Sequence, residues 1–314
     1  MPNVLAIDLG GTKCSAAVVD RGGRILSQRA VPVNRSSTSA PVLQIAQLAD
    51  ELARPKTSKR AFLAAAIAVP GLVRHTGTVW APNLPGWQRM PLASRLRQLL
   101  SLPVFVESDR NAAILGECWR GAAQGKADAI VLMIGTGIGA GILSGGRILR
   151  GAHELSGCAG WLSIHAGAPT APGVAELESL AAGPAIARIA ERLLRNGGKS
   201  SLSRHDLSSI TAFEVASAAR RGDRLALDVF TQAGEALGYA IANMISLLDP
   251  QVVILGGGMA EVADLYLKPL RCAMLKKAQP LAARRVRIIV SKLRDKANLL
   301  GCARVAWNQA SRNG

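Results

Sequence analysis

Three times in this chain an apolar, β-rich run stops at a cluster of glycines: "AIDLGGTK" (6–13), "MIGTGIGAGI" (133–142) and "VILGGG" (253–258). No other feature limits the fold as strongly. Short runs of Val, Ile, Leu and Ala bounded by glycine read as strands buried in a sheet. The first two clusters open matching patterns. "VLAID" and "CSAAVVD" lead through "RGG" (21–23) to a third strand, and residues 129–149 read as strand, glycine turn, strand, turn, strand. One half of the chain thus repeats the plan of the other. "FLAAAIAVPG" (62–71), "LPVFVESD" (102–109) and "RVRIIV" (285–290) add strands. Helical spacing covers 41–54, "DRNAAILGECWRG" (109–121), about 174–195, 211–221, 224–248 and 296–309. Strands alternating with helices predict an α/β protein with mixed sheets. Two domains are expected: 1–118, with a helix at about 296–314 packing back on it, and 119–295.

The 314 residues are 49% hydrophobic and 19% charged, which excludes a disordered chain. The formal charge of +17 is spread along the chain, with denser spots at "RPKTSKR" (54–60) and "KKAQPLAARRVR" (276–287). Neither spot is interleaved with aromatics, so no nucleic-acid partner is expected. Five cysteines, odd in number and without a CxxC pair, argue against a secreted disulfide framework. The first residues lack the pattern of a signal peptide, and no apolar run has the length of a membrane span. A cytoplasmic protein without membrane attachment is the expectation.

Glycine turns at strand ends let a backbone approach a phosphate and offer it several N–H groups. On this reading Gly10, Gly11, Gly135, Gly137 and Gly139 cradle phosphates, Thr12 and Thr136 add hydroxyls, and Lys13 adds charge. Asp8, at the end of a buried strand, is placed to orient Mg²⁺ through water. The P-loop pattern is absent, and the glycines at 135, 137, 139 and 141 do not fit GxGxxG. The competing reading is that each cluster is only a hairpin turn.

Taken together these elements resemble the actin-like ATPase (ribonuclease H-like) superfold, in its ROK branch of bacterial sugar kinases and sugar-responsive repressors. "AIDLGGTK" and "GTGIGAGI" look like its two phosphate motifs. "ESDRNAAILGE" is similar to its E-N-D-x-N-A-A-x-x-G-E segment, "VPG…APNLPGW" (69–87) to its sugar-side loop, and "GYAIANMISLLDPQVVILGGG" (238–258) to the part that receives adenosine. The resemblance implies two domains around an interdomain cleft, ATP and Mg²⁺ as cofactors, a sugar as substrate and a homodimer. It implies Asp109 as catalytic base, Gly256 and Gly257 beside the nucleoside, and Gly71, Asn83, Ser108 and Glu178 at the sugar. Ser108 stands where the family has Asn. For Asp109 the alternative is a plain helix N-cap.

One motif departs. The family's G-E-x-G-H reads "GCAGW" here, so Cys158 replaces the Glu and Trp161 the His, both sugar contacts, and no cysteine follows in 163–178. No family-type structural zinc is therefore expected. A replacement set of His153, Cys158 and His165 is the alternative. Trp161 either stacks on a sugar ring or sits in the core. Three functions follow: a glucokinase-like enzyme phosphorylating a hexose 6-hydroxyl, a kinase with a shifted sugar, or a non-catalytic nucleotide- or sugar-binding regulator. "DLGGTK" begins at residue 8, and on that reading a repressor with a DNA-binding helix-turn-helix ahead of it is not expected. Polyphosphate remains open as donor.

Overall fold

The computed structural model describes residues 3–53, 62–164, 173–204 and 206–311. The basic stretch 54–60 lies outside the described residues, as do His165 and His205. The chain forms two compact units: residues 1–125, 148–156 and 295–314, and residues 126–147 and 157–294. The division differs from the sequence expectation in two segments, since 119–125 and 148–156 belong with the first unit.

Unit 1 opens with the meander β1 (Asn3–Leu9), β2 (Lys13–Val19) and β3 (Ile25–Pro32). After α1 (Ala40–Leu52), β4 (Phe62–Val69) joins parallel to β1, with Asp8 opposite Ala68. A small hairpin, β5 (Leu72–Val73) and β6 (Val79–Trp80), precedes α2 (Leu92–Leu100), β7 (Val104–Ser108) and α3 (Asp109–Arg120). The sheet order is β3-β2-β1-β4-β7. Central β1 and β4 are buried along almost their whole length, as strands covered on both faces must be. β3, at the edge, exposes most of its residues.

Unit 2 repeats the plan with β8 (Ala129–Ile134), β9 (Ile138–Ser144) and β10 (Arg147–Ile148), the last leading the chain back to unit 1. From Gly157 onward come α4 (Glu176–Ala181), α5 (Gly183–Arg195), α6 (Ala212–Arg220), α7 (Arg224–Leu248), β11 (Val252–Gly256), α8 (Ala263–Lys277), α9 (Pro280–Arg285) and β12 (Arg287–Val290). The sheet order is β10-β9-β8-β11-β12, with β11 parallel to β8 and β12. α7 begins at Asp223, whose carboxylate caps it by accepting from Ala226 N–H. Its Ala- and Ile-rich face is buried in the core of unit 2.

The last helix, α10 (Lys296–Ala310), returns to unit 1 and packs on α3. The two helices touch backbone to backbone at two glycines. A Cβ on Gly301 would strike Ala112 O, and one on Gly116 would strike Ala297 O. Residues this small let the axes approach closely, which ties the position of α3 to that of α10.

Candidate active site

Two acidic residues of unit 1 stand at adjoining element ends. Asp8 is the penultimate residue of β1, and Asp109 is the first residue of α3. The helix cap is Ser108, whose Oγ accepts from Asn111 N–H at 3.4 Å. The alternative that Asp109 itself caps α3 is therefore corrected. Its carboxylate accepts from Arg110 N–H at 2.8 Å, and burial raises its pKa above the ordinary value. Burial pushes Asp8 up to about 7, against the opposing hydrogen bond from Asn298 Nδ2 at 3.1 Å, with the charge of Asp109 adding to the rise. The two carboxylates thus feel each other. Lys13 lowers Asp8 in turn, and its Nζ lies 3.5 Å from Asp295. Between Asp8 and Lys13 the chain turns tightly, with Gly10 N–H donating to Lys13 O and the Thr12 side chain exposed.

Sequence reasoning missed how this corner is held. Glu107 is buried, and its Oε1 accepts from Ser108 N–H, Asn111 Nδ2 and Arg150 Nη1, each at 3.0 Å. Its Oε2 takes Arg150 Nη2 at 2.5 Å. Arg110, also buried, donates to Ser156 O at 3.0 Å and Glu154 O at 3.1 Å. The segment 150–156 is thereby fastened to the start of α3. Glu154, with φ +61°, turns its carboxylate toward Arg150 at 3.6 Å.

The sugar-side loop of unit 1 is anchored by Trp87, fully buried with Nε1 donating to Thr38 O at 3.0 Å. That anchor leaves Asn83 exposed between the buried Ala81 and Leu84. Gly71, at φ +95°, passes so close to Trp80 O that any Cβ would collide with it.

In unit 2 the β8–β9 turn is closed by Gly135 N–H donating to Gly137 O at 2.9 Å, and Gly135 O accepts from Gly183 N–H at the start of α5. Gly139 pairs with Met133 across the hairpin. Glu178 accepts from Ile138 N–H at 2.8 Å and fills the space beside Gly137, where a Cβ would sit 2.6 Å from its Oε2. One oxygen of this expected sugar contact is therefore engaged in holding the glycine turn. Thr136, Glu178, Ser179 and Arg188 line a cavity of about 200 Å³ beside that turn. Arg188 was not singled out from sequence, because one arginine on an amphipathic helix carries no local signal. Gly256 and Gly257 end β11 against β8; at φ +80°, Gly257 lies where a Cβ would strike Ile134 O.

The departing motif, residues 157–161, begins just after a boundary between the two units. Residues 151–156 belong to unit 1, and 157 onward to unit 2. Trp161, on a short 3₁₀ turn, is 61% exposed, which excludes the core reading. Cys158 is half-buried and leads into the same turn. Further on, buried Glu176 accepts from Ser163 Oγ at 2.8 Å and Ile164 N–H at 3.1 Å. Of the alternative metal set, His153 belongs to unit 1, Cys158 to unit 2, and His165 falls outside the described residues.

Magnesium asks for oxygen donors and keeps much of its own water. Asp8 is a half-buried carboxylate poorly compensated by its surroundings, and Asn298 Oδ1 is buried without a hydrogen-bond partner among the described residues. These donors fit a hydrated magnesium ion. Among the described residues no group of three His, Cys, Asp or Glu side chains gathers into a closed metal cage. Among them, too, no helix is long and apolar enough to cross a membrane.

Comparison with known proteins agrees with this layout. A glucokinase of Halalkalibacterium halodurans is 32% identical over 307 residues, covering 95% of this chain and 92% of its own. A xylose repressor of Caldicellulosiruptor bescii is 32% identical over 253 residues, 79% of this chain and 63% of its own. Among solved structures, a ROK family glucokinase of Streptomyces griseus in complex with glucose and AMPPNP superposes with a TM-score of 0.82 at 30% identity, over 98% of this chain and 99% of that one. The fold is that of the actin-like ATPases, as in these ROK kinases. The ROK family model matches residues 4–309, and the chain belongs to that family.

Proposed function

We propose that this protein is an ATP-dependent sugar kinase that transfers the γ-phosphoryl group to a hexose hydroxyl, with the 6-hydroxyl of a glucose-like sugar as first choice. The observation that carries the reading is the state of Asp109. Its carboxylate is not spent on capping α3, since Ser108 does that, and burial raises its affinity for a proton. A general base needs both properties: a carboxylate oxygen able to take a proton, here the one that Arg110 N–H does not hold, and a pKa drawn toward the working pH. The sugar hydroxyl attacks the γ-phosphorus, Asp109 takes the hydroxyl proton, and ADP leaves.

Phosphoryl transfer otherwise demands positioning and charge neutralisation. Gly10, Gly11, Thr12 and Lys13 on unit 1, with Gly135, Thr136, Gly137 and Gly139 on unit 2, are assigned to the phosphates. Gly256 and Gly257 are assigned to the nucleoside. Asp8 would hold magnesium, which when bound neutralises charge on the phosphates. Gly71, Asn83, Ser108, Glu178, Cys158 and Trp161 are assigned to the sugar. Exposed Trp161 offers a flat apolar face to a pyranose ring, where the relatives' motif offers an imidazole.

The test is turnover of a hexose panel by the purified protein with Mg-ATP, and in parallel with polyphosphate, alongside Asp109→Asn. Turnover of one or more sugars by the parent is expected, with a loss of roughly 10²- to 10⁴-fold in the variant. Nucleotide binding without turnover of any sugar or polyol would leave the second reading, a non-catalytic sugar or nucleotide sensor. That reading is favoured by the Cys158 and Trp161 replacements and by a repressor relative as similar as the kinases.

A further inference from the structure

We propose that a cavity of about 540 Å³ in unit 1, at the β7 edge of its sheet, is a second ligand site that takes a phosphate dianion, free or carried on a small metabolite. The proposal goes beyond the kinase reading and does not depend on it. None of Asp8, Asn83 or Asp109 lines this cavity. Its size is that of a small-molecule site.

The case rests on how the fold collects cations there. The turn between β5 and β6 is closed by Arg74 N–H to Thr78 O and Gly77 N–H to Arg74 O. It docks on the start of α2, where Ala93 N–H donates to Gly77 O and the Gly77 backbone lies against the Ala93 side chain. Arg97 lies one helical turn beyond Ala93 on the same face of α2. Arg74, His75, Thr76 and Arg97 all line the cavity. Arg97 is braced by its Nη2 donating to Val104 O at 3.1 Å, which leaves the rest of its fork free.

Charge balance points to an anion. The cavity's two carboxylates, Glu107 and Glu154, both face Arg150, at 2.5 and 3.6 Å. No carboxylate among the described residues pairs with Arg74, His75 or Arg97. Two guanidinium groups without a carboxylate partner and a neighbouring imidazole suit a tetrahedral phosphate, whose oxygens accept several charge-assisted bonds at once. Asn308 lines the cavity as well and offers a polar contact for the remainder of a metabolite. Glu107, which lines the cavity, also holds Ser108 N–H and Asn111 at the start of α3.

The experiment is calorimetric titration of the whole chain with inorganic phosphate and, separately, with a hexose phosphate. Saturable binding in the millimolar range or tighter is expected for at least one of them. Arg74→Gln and Arg97→Gln are each expected to weaken it about tenfold or more. Arg74 is exposed and makes no side-chain bond among the described residues, so its variant keeps the fold even if loss of the Arg97 brace does not. Tighter binding of the hexose phosphate assigns the site to a metabolite, and equal affinities assign it to free phosphate. No binding of either ligand, or binding unchanged in both variants, would overturn the proposal.

Discussion

Glu107 and Arg150, 43 positions apart, meet in a two-pronged ion pair, with Oε1 to Nη1 at 3.0 Å and Oε2 to Nη2 at 2.5 Å. The carboxylate is buried and the guanidinium is 43% exposed. Removing the cation strands a buried anion, whereas neutralising the anion leaves an amide that still bonds its neighbours. Arg150→Met is therefore expected to cost about 2 kcal/mol, less than a fully buried pair because one partner is open to water. Glu107→Gln should cost less. Urea unfolding of both variants gives the order, and the reverse order would show that the pair does not stabilise unit 1.

Asp109→Asn removes a charge that burial disfavours, so at neutral pH it should unfold no earlier than the parent, while lowering turnover roughly 10²- to 10⁴-fold, the usual worth of a positioned base. Because burial raises the Asp109 pKa, parent activity should fall on the acid side with a midpoint above the ordinary carboxylate range. A pH–rate profile of kcat checks the sign. A midpoint at or below that range speaks against Asp109 as base.

Asp8 carries a linked effect on stability. Its folded pKa of about 7 lies above the ordinary 3.8, so its contribution is present below 3.8 and is lost as pH rises through 7. Asp8→Asn removes the charge that burial disfavours. The variant should therefore unfold at higher denaturant than the parent at about pH 8, and the gain should vanish below about pH 4. Equal stability of the two proteins at the higher pH would count against an uncompensated Asp8.

Two tryptophans should behave as opposites. Trp87 is fully buried and bonds Thr38 O, so Trp87→Ala is expected to cost about 3–5 kcal/mol. Trp161 is mostly exposed, and Trp161→Ala should stay within about 0.5 kcal/mol of the parent. If Trp161 stacks on the sugar, the same change raises KM for the sugar and leaves that for ATP alone. Thermal melts and steady-state kinetics separate these outcomes.

The residues that were legible in sequence carry local signals. Glycine at a strand end, and Asp, Asn and Ala at helical spacing after "VFVES", fix turns and a helix start without reference to distant parts of the chain. What escaped depends on partners far along the chain. Nothing near Arg150 marks it as the mate of Glu107, and nothing near Glu178 shows that it holds Ile138 N–H. The loop 151–165 reads as one piece, yet a boundary between compact units falls after Ser156 because Arg110 claims the carbonyls before it. Sequence offered only Asp109 as the cap of α3, whereas Ser108 holds that place.

The close contact of α3 with α10 has a consequence for biosynthesis. Asp109 is carried by α3, which lies on α10 through Gly116 and Gly301, and Asp8 is held by Asn298 of the same α10. A nascent chain that has not yet extended past Asn298 possesses both carboxylates and both strands that bear them, but lacks the helix against which they are set. The setting of both carboxylates is therefore completed late in translation, when α10 packs on α3.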